Sequence, residues 1–304
     1  MGRISRTVAL RAMETAFDQG VTHFDVARSY GYGDAEAVLG KFAADKRDRI
    51  TIATKFGIRA STTARALRWI KPAVRRVARH FPYARSAIRA ASGQTLVPGR
   101  YGLADARSSF EESLRQLKTD YADILFIHDC SPADELSDEL LAYLQNLVHV
   151  GRVRAWGIAT RRDWISLLCA KLPFKPMIVQ YGQDILSSNR IPPCADDQHQ
   201  TIFHSPFGAS SFATRLNELL IRTANPQVVR ELGADIAKGT KAYSRLLLEG
   251  AFYLARGNPV LCSMFDPAHI WENVAVLENP RYTPEQLAAL VNFVDTHWRF
   301  CPIH

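Results

Sequence analysis

The sequence predicts an α/β fold, a (β/α)8 TIM-type barrel that lacks or truncates its first strand. Three observations carry that expectation. Strand-like and helix-like segments alternate along the whole chain, the pattern of stacked β-α units around a parallel sheet. Runs such as Ile50–Thr54 and Ile124–Ile127 read as strands buried in a parallel sheet. Polar residues suited to proton chemistry stand at the ends of these runs, the place where a parallel barrel gathers its active groups.

Taken in order, Val8–Gln19 carries a helical pattern and leads into a strand at Thr22–Phe24. Glu36–Ala43 reads as helix and Ile50–Thr54 as strand, then Ser108–Leu117 as helix and Asp123–Ile127 as strand. Helix Glu139–Val150, strand Val153–Ala159, helix Trp164–Lys171 and strands Met177–Gln180 and Thr201–His204 follow. Helix Gln227–Lys238, strand Pro259–Ser263 and two helices over Ile270–Leu277 and Pro284–Trp298 close the pattern. Seven strands result where a closed barrel needs eight. The missing one would precede the first helix, where few residues remain. Either the chain starts late, or the barrel has a gap between its first and last strands.

The 304 residues, 47% apolar and 22% charged, suit one large α/β domain over 1–304 with a sizeable core. No Gly/Ser-rich linker divides them. No apolar run approaches the roughly 18–20 residues of a membrane helix, so no integral span is expected. MGRISRTVAL holds no signal-peptide core, and Arg6 breaks the myristoylation pattern. The five cysteines are scattered, odd in number and without a CxxC pair, which fits reduced thiols in a cytoplasm and no metal site.

The net charge of +8 is uneven. Between Ile58 and Arg107 eleven Arg and Lys face one acid, Asp105, so this insertion carries +10 and the rest of the chain −2. Within it Leu67, Ile70, Val74, Val77 and Phe81 form an amphipathic stripe interrupted by Pro72. A basic helical insertion following the strand that ends at Lys55 is the expectation. Its cations could simply be solvated around a stripe packed on the barrel. They could instead draw in an anionic substrate or cofactor phosphate. A membrane surface or nucleic acid ranks last, because aromatics are few and no nucleic-acid motif is present.

Asp25, Tyr30, Lys55 and His128 are the candidate catalytic group. A tyrosine hydroxyl has an ordinary pKa near 10 and needs help to move a proton at neutral pH. A neighbouring ammonium favours the phenolate, and a carboxylate holds that ammonium in place. Singly, Asp25 also suits a helix cap or turn, His128 suits a core histidine, and Cys130 reads as a small core residue. Together the four point to function.

The segments GVTHFDVARSYGYGDAEAVLG, TIATKFG, SLRQLKTDYADILFIHDCSP, LVHVGRVRAWGIAT, VQYGQDIL and IFHSPFG, in this order, resemble the aldo-keto reductase family of NAD(P)H-dependent carbonyl reductases. The resemblance runs over nearly the whole chain. It implies Tyr30 as general acid, Lys55 lowering its pKa, Asp25 pairing with Lys55, and His128 orienting the substrate oxygen. It further implies Gln180 on the nicotinamide carboxamide, His204 in the place of a stacking aromatic, and Ser205 with the backbone near Phe207 beside the pyrophosphate. Asn273 in HIWEN matches an adenine-binding asparagine. Three departures stand out. Ala159 and Thr160 replace a Ser-Asn carboxamide pair. Ser263 and His269, with Asp266 between them, replace cations that clasp the 2′-phosphate. The first strand is absent.

The resemblance implies NADPH as cofactor, with NADH as the alternative, and a small-molecule carbonyl substrate, for which an anionic one suits the basic segment. No nucleic-acid partner and no metal is expected, and nothing in the sequence fixes an oligomeric state. The rival reading is a catalytically weak or silent cofactor-binding member acting as a regulatory or partner-binding subunit. A more distant one is a different barrel enzyme that uses Lys55.

Overall fold

The computed structural model describes residues 4–60, 96–97, 99–185, 199–208, 232 and 240–297. The chain divides into two compact units, Met1–Val179 and Gln180–His304.

In the first unit, α1 (Arg6–Asp18) starts where the Ser5 hydroxyl accepts a hydrogen bond from the Val8 amide at 3.2 Å. Such a cap satisfies an amide that the first helical turn cannot. Helix α1 buries Ala9, Ala12, Met13 and Ala16 along one stripe. Strand β1 (His23–Asp25) follows, then α2 (Ala35–Phe42) and β2 (Thr51–Phe56). After α3 (Leu103–Leu117) come β5 (Ala122–His128), α4 (Asp138–His149), β6 (Val153–Ala159) and α5 (Arg162–Lys171). A short antiparallel ribbon, β3 (Arg59–Ala60) with β4 (Leu96–Val97), lies within the basic segment. The parallel order is β1-β2-β5-β6, in the register Asp25↔Ala53, Lys55↔Phe126 and His128↔Ala159. Ala122 to Ile127 are all buried, as in a parallel strand covered on both faces.

The core between the helices and these strands includes Met13, Val26, Leu39, Phe42, Ile52 and Leu117. Gly40 lets α2 lie directly on α3. A Cβ there would stand 2.6 Å from the backbone of Gln116 and Leu117.

The division between the units falls within β7 (Ile178–Gly182). In the second unit β8 (Gln200–His204) pairs in parallel with β9 (Val260–Leu261). Three helices follow in described residues: α6 (Thr240–Ala255), α7 (Pro267–Glu278) and α8 (Pro284–His297). Ile185, Leu246, Leu247, Leu287, Leu290 and Val294 belong to the core of this unit. Buried Glu249 ties it together by accepting from Arg245 Nε at 2.8 Å and from the amides of Arg281 at 2.9 Å and Tyr282 at 2.8 Å.

All seven strands expected from the sequence are found, and none precedes α1 among the described residues. Strand β1 ends one residue later than expected, so Asp25 belongs to it. The expected helix Gln227–Lys238, apart from Leu232, and residue Trp298 lie outside the described residues. So do Leu67, Ile70, Pro72, Val74, Val77 and Phe81 of the basic segment. Helix α6 was not foreseen, because Leu246, Leu247 and Leu248 are buried in succession and blur the 3.6-residue period. Among the described residues, no helix is long and apolar enough to cross a membrane, and no group of three His, Cys, Asp or Glu could hold a metal ion.

Candidate active site

The first unit brings the four candidate catalytic residues onto three neighbouring strands and one turn. Asp25 is the last residue of β1, Lys55 the penultimate residue of β2, and His128 the last of β5. Tyr30 opens a single 3₁₀ turn, Tyr30–Gly33, whose start is fixed by its amide donating to Ala27 O at 3.0 Å.

Lys55 is 1% exposed and forms an ion pair with Asp25. Its ammonium also donates to Val26 O at 3.2 Å. An ammonium so deeply buried is tolerable only when paired. Lys55 Nζ lies 5.1 Å from the centre of the Tyr30 ring. The Tyr30 phenol is held above its ordinary value, chiefly by burial of the hydroxyl. The charge of Lys55 pulls it down, while Asp25 pushes it up. Lys55 therefore acts in the implied direction, but desolvation outweighs it, and Tyr30 keeps its proton. The His128 ring meets the Tyr30 ring edge-on, 5.9 Å between centres. Below Asp25 on the same face of β1, burial lowers the His23 pKa, so that imidazole stays neutral beside the ion pair.

Support comes from residues that sequence reasoning missed. Arg28 and Glu36 flank Tyr30 in the chain and form a buried ion pair at 2.7 Å. Thr54, next to Lys55, donates its hydroxyl to Glu36 Oε1 at 2.7 Å. The turn carrying Tyr30 is thus tied to β2 from the helix side. The spacing of Arg28 and Glu36 around Tyr30 was a signal that could have been used. Tyr101 donates its hydroxyl to His128 O at 3.0 Å, a contact across 27 residues that no local pattern announces.

Of the cofactor-position residues, Ala159 and Thr160 are buried in the first unit, and the Thr160 hydroxyl donates to Cys130 O at 2.8 Å. Cys130 is fully buried, and desolvation pushes its thiol up to about 12, so it is an inert core residue. The second unit holds the others. Gln180 is 2% exposed in β7. The His204 ring lies over Gly182, where a Cβ would come within 3.2 Å of it, and His204 Nδ1 is 2.8 Å from Ser205 Oγ. Ser205 is exposed with a left-handed φ of 59°, and its carbonyl accepts from the Gly208 amide at 3.0 Å. The Phe207 side chain packs against the core of this unit. Ser263 and His269 are exposed and Asn273 is half-buried. Asp266, which lies between Ser263 and His269, caps α7 by accepting from the Ala268 amide at 3.0 Å.

The model of the Aldo/keto reductase family matches residues 1–295. The chain belongs to this family. Among curated relatives, 6-dehydroglucose reductase of Agrobacterium fabrum is 30% identical over 181 residues, covering 58% of this chain and 52% of its own length. Aldo-keto reductase YhdN of Bacillus subtilis is 27% identical over 160 residues, covering 52% and 38%. These matches span about half or less of the relatives' length. The solved aldo-keto reductase from Klebsiella pneumoniae, in complex with NADPH, overlays with a TM-score of 0.63 at 21% identity, over 97% of this chain and 88% of that one. The fold class expected from the sequence, α/β of the (β/α)8 TIM type, is therefore that of this aldo/keto reductase.

Proposed function

We propose that this chain reduces an aldehyde or ketone to the alcohol with NADPH, or with NADH in its place. The reading rests above all on one observation: Lys55, paired to Asp25, stands 5.1 Å from the ring of Tyr30, whose phenol desolvation keeps protonated. A general acid must hold its proton until the reaction calls for it, and must then leave a stabilised conjugate base. Tyr30 gives its proton to the carbonyl oxygen, and the Lys55 ammonium stabilises the phenolate that remains. Asp25 holds Lys55 in place through their ion pair. His128, edge-on to Tyr30, orients the oxygen.

A nicotinamide cofactor, when bound, supplies the hydride that reaches the carbonyl carbon. The donor set suits such a group. Gln180 offers a buried amide for the carboxamide, and the His204 ring a flat face beside a glycine. The turn at Ser205 to Gly208, exposed at Ser205, would meet the phosphates. Ser263, His269 and Asn273 would take the adenosine end. The +10 of residues 58–107 favours an anionic carbonyl compound. One observation favours the silent-member reading instead: the Thr160 hydroxyl is already given to Cys130 O, where the family places a carboxamide partner.

Tryptophan fluorescence titrated with NADPH and NADH tests the proposal. Saturable quenching by either, followed by aldehyde-dependent oxidation of the nucleotide, is the expected result. Absence of quenching by both would sink it. Binding without turnover would establish the silent reading.

A further inference from the structure

We propose that Tyr101 is a positioning residue for His128, so that orientation of the carbonyl depends on the loop leaving the basic segment. The inference rests on the reductase reading above. The Tyr101 side chain is 6% exposed, and its hydroxyl donates to the His128 carbonyl at 3.0 Å. His128 is where β5 leaves the sheet. The next residue, Asp129, turns with a left-handed φ of 57° and donates its amide to Ala159 O at 2.7 Å. Strand β6 thus holds one side of the turn, and Tyr101 holds the carbonyl.

Gly57, two residues after Lys55, makes this possible. A Cβ there would lie 2.4 Å from Tyr101 Cε1 and 3.1 Å from His128 O, and its φ of 111° is one that side chains rarely adopt. The missing side chain leaves room for the Tyr101 ring. The backbone is fastened too, since the Arg100 amide donates to Gly57 O at 3.2 Å. Residues 100–101 therefore join the ends of the strands that carry Lys55 and His128. Burial, reinforced by Cys130, Asp134 and Asp129, pushes the Tyr101 phenol up, so its hydroxyl stays a donor at neutral pH. A backbone shift at His128 moves an imidazole that meets Tyr30 at 5.9 Å between ring centres, and displacements of about 1 Å matter for orientation.

Tyr101→Phe keeps the ring on Gly57 and removes only the donor. Two measurements on the full chain test it: steady-state kinetics with a generic aldehyde, and ¹⁵N-histidine NMR with the His128 resonances identified by His128→Asn. The expected result is a roughly tenfold fall in kcat/KM, mainly through KM. NADPH affinity by fluorescence should be unchanged and the His128 resonances shifted. Unshifted His128 resonances overturn the proposal whatever the kinetics, as does a kcat/KM within about twofold of wild type. A parallel loss of cofactor affinity and thermal stability also overturns it, because the role is then merely structural. If the wild-type chain itself turns over no aldehyde, the reductase reading fails, and the resonances alone decide whether Tyr101 holds His128.

Discussion

In the first unit Lys55 and Glu36 are each about as buried as a side chain can be, at 1% exposed, and each charge has its partner in place. In the second unit Ser205, Ser263 and His269 are exposed, and Gln180 is the buried one of the cofactor-position residues there. The physics of desolvation separates the two cases. A buried ion must carry its partner within the fold, because it is otherwise too costly to bury. Groups that meet a charged ligand at the surface stay hydrated until that ligand arrives. The buried ion pairs around Tyr30 are thus complete within the fold, while the exposed groups of the second unit keep their water.

The largest effect that could break this comparison is at Lys55. Lys55→Met leaves Asp25 without its ammonium, and should destabilise the protein by about 3 kcal/mol and remove detectable turnover. Chemical denaturation and aldehyde-dependent nucleotide oxidation measure the two losses. A stable, active Lys55→Met would show that the ion pair is dispensable.

Arg28→Met comes next, since it strands Glu36 beside Thr54. A loss of about 2–3 kcal/mol is expected by denaturation, with turnover reduced because the Tyr30 turn loosens. Unchanged stability would mean that the tether is weak.

Tyr30→Phe separates chemistry from stability. The Tyr30 side chain as a whole is 40% exposed although its phenol end is desolvated, and the substitution removes one hydroxyl, so unfolding free energy should change by less than about 1 kcal/mol, while kcat falls by about 10²–10⁴. The pH dependence has a definite sign. The phenol is raised above its ordinary value near 10, and the acid must be protonated to act. Wild-type turnover should therefore not decline through loss of this proton below about pH 10. The same raised value means that folding stability is complete below that pH and falls as pH rises past it. A decline of kcat centred near pH 8 would overturn the assignment.

The smallest effect is expected in the second unit. His269→Arg puts a cation at an exposed position, and should raise preference for NADPH over NADH by several-fold, about 1 kcal/mol. Stability should stay within about 0.5 kcal/mol. Titration of the two nucleotides checks it, and an unchanged ratio would place the 2′-phosphate elsewhere.

Much of the fold was legible because burial leaves a mark on composition. The runs ending at Lys55 and His128 are apolar enough to read as strands, and each polar residue closing such a run is an anomaly with a chemical reason. Helix α6 escaped because a helix buried on nearly all sides loses its periodicity. The supporting contacts escaped for a different reason. Thr54 to Glu36 and Tyr101 to His128 join residues 18 and 27 positions apart, and no pattern along the chain encodes such a meeting.

The sequence by itself determined the alternation of strands and helices, the family, and the residue types able to move a proton. Only the tertiary structure decided that desolvation outweighs Lys55 at the Tyr30 phenol, that Asp266 caps a helix, and that Tyr101 fastens His128. A pKa, a cap and a hydrogen bond are set by distance and by exclusion of water. Both arise only when strands remote in sequence are brought into register.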